Sequence, residues 1–490
     1  MLEWFGAVFI ILVVAAIWPA SKYLGISSQS SSGVQGLGNS RREWREKVSE
    51  RCIVSRDVGT GQSVDRSPGE SPSVALICKP SALANYLLKH CVTFYKLHSY
   101  PKWNWRASPL LQSIFGVCWP YDCPVHFVRD HLQMSDDGIV ALDWAVAASA
   151  SIHRRRRTSS NSTSPILLIV PNSFGKITRN VLKLCEMALT HGYLPVVFNR
   201  RGQNGTPLST VKLQQFGDPA DLREAVRYIR YRQPAGRLYA VSESTGSGLL
   251  LSYLGECGSS SYVTAAACLS PIFRCQSWFE SSPAWPFHWA LLLYQKMWLS
   301  RYRTVLGDTV QTDALFSSSS LRTVEEVLFC RPGPKTSPAD ISTWEAYWEH
   351  NDPLRDVDEV AIPVLCMCSQ DDPVRGDPES SLPLELFESN PHFFLLLTAQ
   401  GGHCGFSTPR EGASDRPDTS VWSHQALLDF LRATSDFFTT EERAKHAARR
   451  RGLSGSGKAF RHRTISTCKK APVCSHNIHA IYSWQRSYTR

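Results

Sequence analysis

From residue 165 onward, short apolar runs alternate with longer segments whose apolar residues recur at helical spacing. ILLIV (166–170), LPVVF (194–198), LYAV (238–241), AAACLS (265–270), IPVLCMC (362–368) and HFFLLLT (392–398) are near-continuous runs. That is the pattern of strands covered on both faces. A helix is predicted from about Thr178, with Leu182, Cys185 and Leu189 on one face and Gly192 past its end. Another is predicted after Asp218-Pro219-Ala220-Asp221, with Asp218 as cap and Pro219 in the first turn. Leu238 to Gly255 reads as strand, tight small-residue turn and helix, the helix beginning near Leu249. Strands alternating with helices predict an α/β fold, a mostly parallel sheet with helices on both faces. Upstream, VALICKPSALANYLL from Val74 gives a strand and then a helix, and Asp136-Asp137-Gly138 between two apolar runs predicts a hairpin.

The flanks break this pattern. Trp4 to Ala20 is a largely apolar run with Trp at either end, at the short limit for a bilayer span. Only Glu3 precedes it, while Lys22, Arg41, Arg42, Arg45 and Lys47 follow. The charge order favours an uncleaved membrane anchor with the body in the cytosol over a cleaved signal peptide, which would place the chain in the secretory pathway. The resulting organisation is an anchor or signal at 1–25, a polar Ser/Gly-rich linker at 26–73 and a folded domain at 74–440. A basic tail, mostly without order, occupies 441–490. Within the domain, about 271–355 is rich in Trp, Tyr and Phe and is expected to form a helical cap. Its rings either pack the cap on the body or line an apolar channel for acyl chains.

Charge narrows the partners. The chain has 490 residues and a net charge of +10, but residues 443–490 hold 12 Lys and Arg and no Asp or Glu. The remainder carries 41 basic against 43 acidic groups, so a nucleic-acid-binding face is not expected. The tail suits an anionic lipid surface. Arg461 to Ser466 and Arg154 to Ser159 both fit Arg-x-Arg-x-x-Ser, and a phosphate on Ser466 would weaken the tail's hold on such a surface. The 15 cysteines show no Cys-x-x-Cys pair or ligand spacing, so no metal site is expected. Cys366 and Cys368 read as buried thiols on one strand face.

The candidate chemistry lies at strand ends. Ser242-Glu243-Ser244-Thr245-Gly246 follows a strand and opens a helix, close to the Gly-x-Ser-x-Gly turn that presents a nucleophile. Gly246 is expected to supply backbone freedom there. A serine needs an imidazole to take its proton and a carboxylate to orient the imidazole. Asp371-Asp372-Pro373 follows IPVLCMC, and Gly401-Gly402-His403 follows HFFLLLT. The catalytic set is therefore Ser244, Asp372 and His403, with Asp371 the alternative acid. The oxyanion donors are expected at Thr245 and at Asn172 or Ser173 after ILLIV. No cofactor is called for.

These motifs, in this order, resemble the membrane-anchored abhydrolase domain-containing proteins of the α/β-hydrolase superfamily, the group that includes members 1 to 3. DGIVALDW, FNRRGQNGTPL, FGDPADLREAVRYIRYR, LLLSYLGECGSSSYVTAAACLSP, NDPLRDVDE, GGHCGF and the terminal WQRSYTR carry the resemblance, over roughly 74–440 and the last few residues. It implies an α/β-hydrolase fold with a helical cap, a role in lipid metabolism, restraint of lipolysis in adipocytes, and a cyclic-nucleotide phosphodiesterase partner. Two function classes follow: a serine hydrolase acting on acyl esters of lipids, or a hydrolase-fold scaffold acting through partners. The intact Ser, Asp and His favour the first; the altered elbow and basic tail favour the second.

Overall fold

The apolar runs assemble into one nine-stranded sheet in a computed structural model of the chain, ordered β1-β9-β8-β7-β6-β4-β5-β3-β2. The structure describes residues 74–95, 108–118, 121, 123–147, 163–175, 177–281, 285–307, 309–330, 343–408 and 420–454. The Trp4–Ala20 run, the 26–73 linker, Ser159, Ser466 and the tail beyond 454 lie outside them. Among the described residues, no helix is long and apolar enough to cross a membrane.

The strands are β1 (Val74–Ile77), β2 (Val125–Gln133), β3 (Ile139–Ala147), β4 (Ile166–Val170), β5 (Leu194–Asn199), β6 (Leu238–Glu243), β7 (Val263–Leu269), β8 (Val364–Ser369) and β9 (Phe393–Thr398). β4 to β9 are mutually parallel. The hairpin β2–β3 is antiparallel and closes one edge through β5, and β1 closes the other antiparallel to β9. This is the α/β-hydrolase arrangement. The order reverses around β4, which lies between β5 and β6, so the C-terminal ends of β4 and β6 open the crevice where such sheets place their sites.

Strand alternation explains the burial. Ile166, Leu168 and Val170 face one apolar layer with helices α4 (Ala220–Arg232) and α5 (Gly246–Cys257). Leu167 and Ile169 face the other, with α3 (Arg179–Thr190) and α10 (Trp422–Ser454). Helices α1 (Ala82–His90) and α2 (Pro109–Cys118) precede the hairpin. Cys366 and Cys368 both point into the first layer.

Several local expectations shift. The α3 face in the core is Val181, Leu184, Cys185 and Ala188, so Leu182 and Leu189 flank it, one step off the face read from spacing. α4 begins at Ala220, whose N–H donates to Asp218 Oδ1 at 3.0 Å, and Pro219 is the cap residue and not the first turn. α5 begins at Gly246, three residues before Leu249. α10 continues through Ser454, past residue 440.

Between β7 and β8 stand the cap helices, chiefly α6 (Cys275–Ser281), α7 (Trp285–Ser300), α8 (Leu321–Phe329) and α9 (Trp344–Asn351). Their rings form a separate core: Trp344 stacks on Tyr347, and Phe216 from the body meets Phe279 and Trp348 edge-on. Trp298 Nε1 and Tyr302 Oη both donate to Gly202 O at 2.8 Å, fastening the cap beside the β5 loop.

Candidate active site

β6 delivers Ser244 to the crevice with φ +53°, a region that a side chain ordinarily avoids and that is held only where surroundings over-determine it. Its N–H donates to Leu269 O at 2.8 Å, tying the turn to β7. Gly246 does not have a positive φ, so backbone freedom is not what the position needs. Instead the helix start presses on the β4 loop: a Cβ there would lie 2.1 Å from Pro171 O. Gly246→Ala is expected to destabilise the fold by more than about 3 kcal/mol, read by denaturant unfolding. Ser242 is fully buried, and its hydroxyl donates at 2.9 Å to Ser247 Oγ in the first turn of α5, so the added side chain finds a partner there.

The loop after β9 brings His403 to Ser244. Its Nε2 is 2.7 Å from Ser244 Oγ, and its Nδ1 is 2.8 and 3.0 Å from the two oxygens of Asp372. The loop is braced from three elements. His403 N–H donates to Ser113 Oγ of α2 at 2.8 Å, Cys404 N–H to Ser270 Oγ at 2.9 Å, and Ser369 Oγ to Gly402 O at 2.7 Å. Ser244 and His403 are 9% and 7% exposed, and Asp372 is 3%. Nothing in the sequence near Ser113 marks it, because its partner lies far along the chain.

The two aspartates divide the work. Burial alone would raise the Asp372 carboxyl, but the His403 charge and hydrogen bond, with Arg375, hold it below the usual value. Its Oδ1 also accepts the N–H groups of Val374 and Arg375 at 2.9 and 3.0 Å. Asp371 does not meet the imidazole; its Oδ1 accepts Gly402 N–H at 2.9 Å and so shapes the histidine loop. Burial pushes the Asp371 carboxyl upward.

The oxyanion candidates lie together. Ser173 N–H donates to Thr245 Oγ1 at 2.9 Å, and Ser173 Oγ donates to the same oxygen at 2.8 Å. That contact occupies the Ser173 N–H, whereas Thr245 N–H makes no hydrogen bond among the described residues. Asn172 lies in the same loop, its Oδ1 buried and without a partner among the described residues.

Beside Ser244, Glu243 is buried and accepts from Thr178 Oγ1 at 2.9 Å, while that oxygen also caps α3 by accepting Val181 N–H. Burial pushes its carboxyl from 4.5 up to about 7, against the pull of Thr178 and His403. Between these values the folded state keeps a proton that the unfolded state has released. The stability it contributes is therefore full below about pH 4.5 and lost as pH rises through about 7. Relative to Glu243→Gln, the wild type is expected to lose roughly 3 kcal/mol between about pH 4 and about pH 8, measured by urea unfolding at each pH. Parallel pH profiles would contradict this.

A cavity of about 50 Å³ lies between the Ser173 loop and the cap, lined in part by Arg200, Gln214, Phe279, Gln295, Trp298 and Glu325. Phe279 and Trp298 pack the cap and also border this cavity, whose lining is in large part polar. The Arg200-Arg201 pair stands directly after β5, at a strand end, with no local spacing to set it apart from ordinary loop charge.

No protein-family model matches the chain. Protein ABHD15 of Homo sapiens is 48% identical over 465 residues, covering 92% of this chain and 95% of that protein. Phospholipase ABHD3 of Mus musculus is 27% identical over 346 residues, 68% of this chain and 78% of that protein. Monoacylglycerol lipase of Saccharomyces cerevisiae is 24% identical over 296 residues, 58% and 63% respectively.

Proposed function

The chain belongs to the abhydrolase family that includes human Protein ABHD15, and from that membership we propose that it is a serine hydrolase acting on acyl esters of lipids. The observation that carries this reading is the continuous path from Ser244 Oγ through both nitrogens of His403 to Asp372, at 2.7 and 2.8 Å. In the first step Ser244 Oγ attacks the ester carbonyl while His403 Nε2 takes its proton, and Asp372 holds the imidazolium that forms. Collapse breaks the C–O bond, and His403 returns the proton to the departing alcohol. Water then repeats the sequence and releases the fatty acid. Thr245 N–H is one donor to the developing oxyanion; Asn172 N–H is the second, or Ser173 N–H once it leaves Thr245. The names of the phospholipase and monoacylglycerol lipase relatives support the substrate class. The test is fatty-acid release from monoacylglycerol and from phospholipid vesicles by the full-length protein. Release by wild type and none by Ser244→Ala is expected; equal release by both would overturn the proposal.

One observation favours the second reading, a scaffold with little turnover: the Ser173 N–H is engaged by Thr245 in the resting site. On that reading the protein restrains adipocyte lipolysis through a partner such as a cyclic-nucleotide phosphodiesterase, held at a membrane by its N-terminal run and basic tail. Retention of that restraint by Ser244→Ala in fat cells would favour it over catalysis.

A further inference from the structure

Two adjacent arginines leave the end of β5 with opposite fates. Arg201 is saturated: its guanidinium meets both oxygens of Asp221 at 2.6 and 2.7 Å and both of Asp136 at 2.8 and 2.9 Å, fastening the β2–β3 turn to α4. Arg200 is 6% exposed, has no carboxylate within ion-pair distance among the described residues, and makes one long bond from Nη1 to Gln215 O at 3.4 Å. Its Nη2 is buried with no partner among the described residues. An unpaired buried guanidinium is costly to fold around unless something negative meets it. Burial pulls its pKa down to about 10, which still leaves it charged at neutral pH.

Arg200 faces the cavity under the cap, and two further side chains there have unmet capacity of the opposite kind. Gln214 donates to Asp218 O at 3.0 Å, yet its Oε1 is buried and unbonded; Gln295 Oε1 is likewise unbonded. The acid that acts most on Arg200, Glu325, is already engaged by Tyr347 Oη at 2.6 Å, and burial pushes it up to about 7, so it only partly offsets the cation. The cavity thus offers a charged donor beside two acceptors. It also adjoins the chemistry, because Ser173 lines it and the same Ser173 grips Thr245 next to the nucleophile.

We propose that this cavity recognises the non-acyl half of the ester as a phosphate with a neighbouring hydroxyl, Arg200 meeting the phosphate and Gln214 and Gln295 accepting from the hydroxyl. A buried guanidinium suits a phosphate oxygen, and the amide oxygens would reject a bare anion that brings no donor. The assignment deepens the hydrolase reading and rests on it only for calling the ligand part of a substrate.

The test is calorimetry on the full-length protein with glycerol 3-phosphate, inorganic phosphate and glycerol as separate probes. Glycerol 3-phosphate is expected to bind wild type and Ser244→Ala alike, and to bind Arg200→Met about ten- to a hundred-fold more weakly. Inorganic phosphate and glycerol should each bind more weakly than glycerol 3-phosphate. A lipid source is then read by competition with fluorophosphonate labelling: lysophosphatidylglycerol should protect wild type better than Arg200→Met, and monoacylglycerol should protect both equally. Absence of glycerol 3-phosphate binding to wild type overturns the proposal, as does equal binding by Arg200→Met. Inorganic phosphate binding as tightly as glycerol 3-phosphate overturns it too, and marks the cavity as a free-phosphate site. If Arg200→Met does not fold, the wild-type probe series still decides. Headgroup binding without covalent labelling would sink the hydrolase reading and leave the pocket standing.

Discussion

Replacing His403 with alanine is expected to lower fatty-acid release by about 10⁵- to 10⁶-fold, with little change in apparent substrate affinity. The size follows from what the ring does. Its Nε2 lies 2.7 Å from Ser244 Oγ, within reach of that hydroxyl's proton. A serine at its ordinary acidity is almost wholly protonated at neutral pH, so without that base the attack stalls. The loss should not come from collapse of the loop, because the bond to Ser113 Oγ comes from the backbone N–H of residue 403 and survives the substitution. Steady-state release from monoacylglycerol by purified protein, with thermal unfolding as the control, measures the effect. A loss under about ten-fold, with the fold intact, would mean that the imidazole is not the base.

The second large effect separates the neighbouring aspartates. Asp372→Asn keeps the shape of the side chain and the acceptor for Val374 and Arg375 N–H. What it removes is the charge, and its amide can turn an N–H towards His403 Nδ1. That selects the wrong tautomer and leaves the imidazolium unsupported, which is expected to cost about 10⁴-fold in turnover. Asp371→Asn retains an oxygen for Gly402 N–H and touches neither ring nitrogen. Its rate should stay within about ten-fold of wild type. Side-by-side kinetics of the two variants check the pair. Equal losses would show that the carboxylates act as a unit, and a larger loss at Asp371 would reverse their roles.

Local chemistry made the central strands and the order of the serine, acid and histidine legible. A continuous apolar run as short and β-branched as ILLIV fits a strand buried on both faces better than a helix, and residues just past the C-terminal ends of such strands fall into the crevice by topology. What stayed hidden depends on contacts between distant segments. Val74–Ile77 is a short apolar run whose place as the edge beside β9 is fixed only by tertiary pairing. Asp371 and Asp372 are indistinguishable by spacing, and a single step along the turn decides which meets the imidazole. Gly246 reads from sequence as a point of backbone freedom, but what the fold needs there is a missing Cβ, because the Pro171 carbonyl occupies its place. The capture of Ser173 N–H by Thr245 is invisible for the same cause, because it joins two loops that the sheet alone brings together.

The central claim is that Ser244 is a nucleophile activated by His403. Treating the full-length protein with a fluorophosphonate and mapping the adduct by peptide mass spectrometry tests it most directly. The account predicts one adduct in this turn, on Ser244, retained in Ser242→Ala and abolished in Ser244→Ala and in His403→Ala. An adduct on Ser242, or no adduct on folded wild-type protein, would contradict it.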